Sequence, residues 1–305
     1  MIRRAGQLWL WSRGEDLVTD RFPEIAEAAR ALPDGIVLDG EAIAWRGERP
    51  LPFATMQRRI GRKVLGAKVL DEAPVVFVAY DLLEEDGTDL RERPLHERRT
   101  RLEQVVGRVG DPRLRVSPVH EAASWGELAA LRARSRELGV EGLMLKHRDA
   151  PYRGGRRRGE FWKWKIEPYA IDAVLVYAQP GSGKRSNLFT DYTFAVWDGG
   201  ELVPIAKAYS GLDDEEIAEL DRWIRRHTHD RHGPVRVVEP VHVFELGFEG
   251  IAASGRHRSG VAVRFPRILR WRKDKPAAEA DTIESLRALL RVAEGGAKES
   301  VEPRV

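Results

Sequence analysis

The chain has 305 residues, 42% of them hydrophobic and 32% charged, with a formal net charge of +3 and no cysteine. Its length suffices for two domains with their own cores, and its composition excludes a disordered chain. No apolar run reaches the length of a membrane span, residues 1–11 lack a signal-peptide pattern, and the absence of cysteine excludes disulfides and thiolate metal sites. A cytoplasmic location without membrane contact is therefore expected.

The predicted elements begin with a strand over Gly6–Ser12 that runs into a turn at Ser12-Arg13-Gly14-Glu15. Phe22–Leu32 reads as a short amphipathic helix with Pro23 in its first turn. Ile36–Trp45 is predicted as a buried strand broken by Asp39-Gly40-Glu41. An acid inside an apolar strand marks an edge position, a bulge or a ligand contact. Phe53–Ile60 and Glu92–Val106 have helical patterning, and Pro74–Leu83 between them is the clearest strand, with Tyr80 near its end. A helix over Trp125–Leu138 closes at Gly139. The strand Val140–Lys146, a basic Gly-rich loop and the strand Phe161–Glu167 follow.

Composition changes at Glu167-Pro168. Beyond it, strands are predicted over Ile171–Gln179, Asp191–Trp197, Glu201–Tyr209, Val235–Phe248 and Val261–Ile268, interrupted by a helix over Asp213–His227. Five strands with one inserted helix fit a small Greek-key barrel of the oligonucleotide-binding kind. Asp281–Ala293 is predicted as a closing helix. The expected fold class is α+β, with one domain over residues 1–168, an OB-fold over 170–293 and a flexible tail over 294–305.

Two basic clusters carry the chemistry. The first lies in EGLMLKHRDAPYRGGRRRGEFWKWK (residues 141–165) and holds Arg153, Arg156, Arg157, Arg158, Lys163 and Lys165 behind Glu141. The second holds Arg264, Arg267, Arg270, Arg272, Lys273 and Lys275. Cations grouped with a carboxylate and interleaved with aromatics suit a polyphosphate sharing its site with a metal ion. Pro180–Lys184 has the look of a phosphate loop, but Ala178 and Arg185 stand where that motif needs glycine and Ser/Thr, so a basic hairpin tip is expected. His227, His229 and His232 are read as a solvated turn rather than a metal site.

SRGE, LDGE, Tyr80-Asp81-Leu82-Leu83, EGLMLK, WKWK and RFPRILRWRKDK, in this order, resemble the ATP-dependent DNA ligases of the bacterial and archaeal type. The resemblance covers nearly the whole chain, to about Leu290. It implies an incomplete nucleotidyltransferase (adenylation) domain followed by the OB-fold, with sealing of 5′-phosphate/3′-hydroxyl nicks in duplex DNA. ATP and magnesium are the implied cofactors, nicked duplex DNA the implied partner, and a monomer is expected.

Residue by residue, the resemblance implies that Arg13 lies near nucleotide and nick, that Glu41 holds the ribose and the metal, and that Tyr80, where the family usually has Phe, stacks on adenine. Glu141 is the implied second metal-linked acid. Lys163 and Lys165 are the implied α-phosphate lysines, assisted by Arg157 or Arg158. Arg270, Arg272, Asp274 and Lys275 correspond to the R-x-R-x-D-K element that orients pyrophosphate. Arg13, Arg158, Lys184 and Arg185 are the expected DNA contacts.

The family's nucleophile is a lysine in a Lys-x-Asp-Gly element shortly before SRGE, and no such element occurs in these 305 residues. Its place is expected upstream of Met1, with the chain not adenylylating itself. A misassigned start or fragment is the favoured explanation; a DNA-binding remnant without chemistry, or a lysine supplied in trans, are the others. Within the same superfamily, RNA ligases commonly lack the R-x-R-x-D-K element, whereas capping enzymes keep one and use GTP.

Overall fold

A computed structural model describes residues 1–62, 64–155 and 157–298, without the side chains of residues 54, 184 and 294–298. The chain divides into two compact units, Met1–Lys165 and Ile166–Val305.

The first unit is built on an antiparallel sheet in the order Gln7–Trp9, Ile2–Arg4, Ile36–Arg46, Val75–Glu85, Thr88–Asp89. Leu114–Val116 pairs in parallel with Val75–Glu85. The two long central strands bury Ile36, Leu38, Phe77, Ala79 and Leu82 against Ile25, Ala28 and Ala29 and against Leu102, Val105 and Val106 of the helix Leu95–Val109. That helix starts after Pro94 and ends at Gly110, whose φ of +65° suits a left-handed cap. It is shifted three residues along from the expected Glu92–Val106, because residues preceding a proline are driven out of helical backbone.

The strand Ile36–Arg46 is continuous through Asp39-Gly40-Glu41, not broken there. The irregularity lies on its partner: Asp39 faces Asp81 and Gly40 faces Ala79, so Tyr80 is an extra, bulged residue. Gly40 permits this close pairing, since a Cβ there would lie 2.5 Å from the Val78 carbonyl oxygen and 2.6 Å from the Phe77 ring. The helix expected over Trp125–Leu138 ends at Ala133, and turns carry the chain to a separate two-stranded hairpin, Gly142–Lys146 with Phe161–Lys165.

The second unit is an OB-fold sheet in the order Glu201–Ala208, Phe189–Asp198, Tyr169–Pro180, Val235–Val238, Thr228–His232. Val243–Phe248 pairs with both Tyr169–Pro180 and Arg267–Trp271 and curls the sheet towards closure. The strand expected over Val235–Phe248 is two strands, separated where Glu239-Pro240 removes a ladder donor. His229 and His232 lie on the strand Thr228–His232, not in a turn.

The helix Asp214–Arg226 opens with a capping box between Asp213 and Glu216 and buries Ile217, Leu220 and Ile224. Leu220 and Ile224 join Leu175, Phe194, Phe244, Phe248, Trp271 and Leu286 in the core of this unit. The last helix runs Ile283–Lys298, past its expected end at Ala293, and residues 299–305 lie outside the described residues. Among the described residues no helix is long and apolar enough to cross a membrane.

Candidate nucleotide site

In the first unit the bulge aims Tyr80 at Glu41. The Tyr80 hydroxyl donates to Glu41 Oε2 at 2.5 Å, and burial, reinforced by this bond, pushes the phenol well above its ordinary pKa. The Tyr80 ring meets a residue that sequence reasoning passed over. Lys146 Nζ lies 5.7 Å from the Tyr80 ring centroid and 5.5 Å from that of Phe161. Burial lowers the Lys146 pKa, while the fields of Asp81 and Asp39 work to raise it.

Both acids are held from behind. Asp81, 2% exposed, takes Arg98 Nε and Nη2 in two bonds of 2.8 Å, and Arg98 is fully buried. Tyr152 donates to Asp39 Oδ2 at 3.2 Å, and burial raises its phenol to about 12.

The hairpin gathers basic side chains. Its register sets Gly142 opposite Lys165, Met144 opposite Lys163 and Lys146 opposite Phe161. Because side chains alternate along a strand and directly opposed residues share a face, Lys146, Lys163 and Lys165 all project from one side. At one end Lys165 Nζ pairs with Glu141 Oε2 at 2.9 Å. Gly142, at φ +141°, lets the strand start against Lys165, since any side chain there would run into the Trp164 carbonyl. On the other face Trp164 packs edge-on to Trp125 and under Arg132, which fixes the hairpin to the helix Trp125–Ala133.

Thus the structure joins Glu41 to Tyr80 and Glu141 to Lys165, and puts Lys163 on the face of Lys165. Arg13 is exposed in a turn stapled by Ser12, whose Oγ accepts from the Gly14 and Asp16 amides. Arg157 and Arg158 are exposed in the hairpin loop, and Arg156 lies outside the described residues.

Among the described residues no three His, Asp or Glu side chains group as a metal cage. Magnesium, which keeps waters and substrate phosphates in its shell, needs only one or two protein carboxylates. Glu41 and Glu141 have the chemistry for it, and each carries a partner, Tyr80 and Lys165 respectively.

In the second unit, Arg272 Nη1 and Lys275 Nζ bind the same oxygen, Asp172 Oδ2, at 2.8 and 2.9 Å. Arg272 also forks onto Asp274 and draws that carboxyl down to about 2. Arg270 faces Glu245 at 3.4 Å, and Lys273 pairs with Glu219 at 2.6 Å while lying over the Trp271 ring. Asp172 is a further residue that sequence reasoning missed; an acid so far upstream of Arg272 and Lys275 gives no local signal.

The basic segment after Pro180 is a hairpin connection, with Arg185 bound to Asp214 at 2.8 Å; the Lys184 side chain lies outside the described residues.

Family models match both units: "ATP dependent DNA ligase domain" over residues 1–165 and "ATP dependent DNA ligase C terminal region" over residues 185–275. A probable DNA ligase of Koribacter versatilis is 42% identical over 304 residues, covering 92% of this chain and 53% of that protein. A DNA ligase of Methanoculleus marisnigri is 37% identical over 280 residues, covering 91% of this chain and 50% of its own. The chain thus spans about half the length of these curated relatives. A solved structure from a study of DNA binding by the minimal Lig E DNA ligases superposes with a TM-score of 0.57 at 20% identity, over 88% of this chain and 86% of that one, a likeness of fold.

Proposed function

The chain belongs to the ATP-dependent DNA ligase family, and on that premise we propose that it acts in the ATP-driven sealing of 5′-phosphate/3′-hydroxyl nicks in duplex DNA. The observation that carries this reading is the single face of the hairpin bearing Lys146, Lys163 and Lys165, with Glu141 paired to Lys165 at one end. Nucleotidyl transfer concentrates negative charge on one phosphorus, and catalysis of it is mostly positioning and charge neutralisation.

In this reading Tyr80 offers its ring to the adenine and its hydroxyl to Glu41. Glu41 keeps its other oxygen for a ribose hydroxyl or the metal. Lys163 and Lys165 meet the α-phosphate as compact charges, with Arg157 beside them, and Glu141 holds Lys165 and contributes to the metal. Magnesium, when bound, withdraws charge from the phosphate oxygens. Arg270, Arg272, Asp274 and Lys275 serve the terminal phosphates. Arg13, Arg158, Lys184 and Arg185 contact DNA phosphates, which position the duplex without reading its sequence.

No Lys-x-Asp-Gly element is present in the 305 residues, so the test supplies nicked duplex already carrying AMP on its 5′-phosphate, with magnesium. The parent chain is expected to seal it and Lys165→Ala to lose sealing. Equal sealing by the two would remove Lys165 from the mechanism, and no sealing by the parent would overturn the reading. Incubation with α-labelled ATP is expected to leave no covalent label on this chain.

A further inference from the structure

We propose that Asp172 is a positioning residue that gathers Arg272 and Lys275 into one cationic pair for the terminal phosphates of the nucleotide. This rests on the reading of Arg272 and Lys275 as polyphosphate ligands given above. Asp172 is itself 8% exposed, and its Oδ2 accepts from Arg272 Nη1 at 2.8 Å and from Lys275 Nζ at 2.9 Å. Two cationic heads on one oxygen are adjacent, close enough to serve neighbouring oxygens of one phosphate. Without the shared acid their mutual repulsion would drive them apart.

The acid is fixed from its own backbone. The Asp172 amide donates to Asp281 Oδ2 at 2.7 Å, and the Asp281 amide donates to the Asp172 carbonyl at 2.9 Å. Trp197 bolts down the same strap: its indole N–H donates to the Ala277 carbonyl at 2.7 Å, and its amide to the Asp281 carbonyl at 3.0 Å. The segment after Lys275 is thereby tied to two strands of the barrel, and Asp172 is presented from the strand Tyr169–Pro180 at a set height. Arg272 stays a cation at any working pH, and an ammonium has three donors, so Lys275 retains donors for phosphate after bonding Asp172. Asp172 orients these groups without touching the nucleotide.

The test measures non-covalent binding of ATP and of AMP, each with magnesium, to the 305-residue chain. The parent is expected to favour ATP, and Arg272→Ala with Lys275→Ala to erase that preference. Asp172→Asn keeps the side-chain shape and is expected to lower ATP affinity by about fivefold or more while AMP affinity holds within about twofold. A side chain with a merely structural role would shift both nucleotides together.

If the alanine pair erases the preference and Asp172→Asn keeps it, the role of Asp172 is overturned and the phosphate reading stands. If the alanine pair leaves the preference intact, or the parent has none, the phosphate reading falls and this inference with it. Should Asp172→Asn unfold the barrel, the single Arg272→Ala and Lys275→Ala variants decide. Two ligands held on one oxygen must lose ATP affinity non-additively, and additive losses would overturn the proposal.

Discussion

Behind Tyr80, the Asp81–Arg98 pair is a buried interaction whose loss should cost the first unit several kcal/mol, about 3–5. Asp81 is 2% and Arg98 0% exposed, and they share two bonds of 2.8 Å. The rest of the guanidinium is spent on the Arg93 and Ala150 carbonyls, which ties the helix Leu95–Val109 to the loop beyond Lys146. Arg98→Met leaves a buried carboxylate with, among the described residues, only the Leu82 amide donor at 2.9 Å. Stranding a buried charge in this way costs about 3–5 kcal/mol.

Replacing both partners, as in Asp81→Leu with Arg98→Met, removes the stranded charge. What remains is the pair of undonated carbonyls and the Leu82 amide without its acceptor, about 1–3 kcal/mol. The double variant should therefore be more stable than Arg98→Met alone. Amide exchange in Val75–Glu85 reads this directly, with Tyr169–Pro180 of the second unit as an internal reference that should not move. A loss below about 1 kcal/mol for Arg98→Met, or a double variant no more stable than Arg98→Met, would refute the reasoning.

Three further outcomes are expected. Gly40→Ala forces a Cβ to 2.5 Å from the Val78 carbonyl oxygen; it should destabilise the first unit by about 1–3 kcal/mol, read in the same exchange experiment. Tyr80→Phe keeps the ring and loses the hydroxyl that holds Glu41; ATP affinity measured by calorimetry should fall by about three- to tenfold, and an unchanged affinity would mean the bond does not orient Glu41. His242, wedged between Trp223 and Trp271 with Glu219, His227 and Lys273 around it, is pushed down by burial to about 4 from an ordinary 6.5. Its folded pKa lies below its unfolded one, so the stability it contributes is complete above pH 6.5 and drains away as pH falls from there towards 4. His242→Phe should flatten the stability of the second unit across that window, measured by urea unfolding at pH 7 and pH 4.5.

Signals that were local and steric were legible in the sequence. Gly40 before Glu41 marks an irregularity, although the bulge falls on the partner strand at Tyr80, and the close approach at Gly142 is seen only in the structure. The long apolar strands were equally plain. Where boundaries differ from expectation, a local marker decides them: Pro94 delays the helix to Leu95, Gly110 ends it, and Glu239-Pro240 splits a strand. Lys146, Asp81 and Asp172 were out of reach for another reason. Arg98 is 17 residues from Asp81, and Lys275 is 103 from Asp172. Nothing in the periodicity of one segment foretells a partner in another. The bulge that turns Tyr80 towards Glu41 is likewise a property of two strands in register, not of either alone.

The charges of both units share one design, and on the proposed reading it bears on how phosphate enters. Lys165 is held by Glu141, Arg272 and Lys275 by Asp172, and Arg270 and Lys273 by Glu245 and Glu219. These cations are ordered beforehand by carboxylates, which lowers the entropy lost when a ligand fixes them. A phosphate must then share or displace those acids, so it gains less than the bare charges suggest, and the gain falls with rising salt. Lys146 differs. The rings of Tyr80 and Phe161 lie 5.7 and 5.5 Å from its Nζ, and Asp81 and Asp39 act on it electrostatically. An ammonium kept in that setting forfeits solvation without gaining an ion pair among the described residues, and burial lowers its pKa. A nucleotide phosphate or adenine ring nitrogen placed beside it would restore what burial removed, so ligand binding should raise the Lys146 pKa.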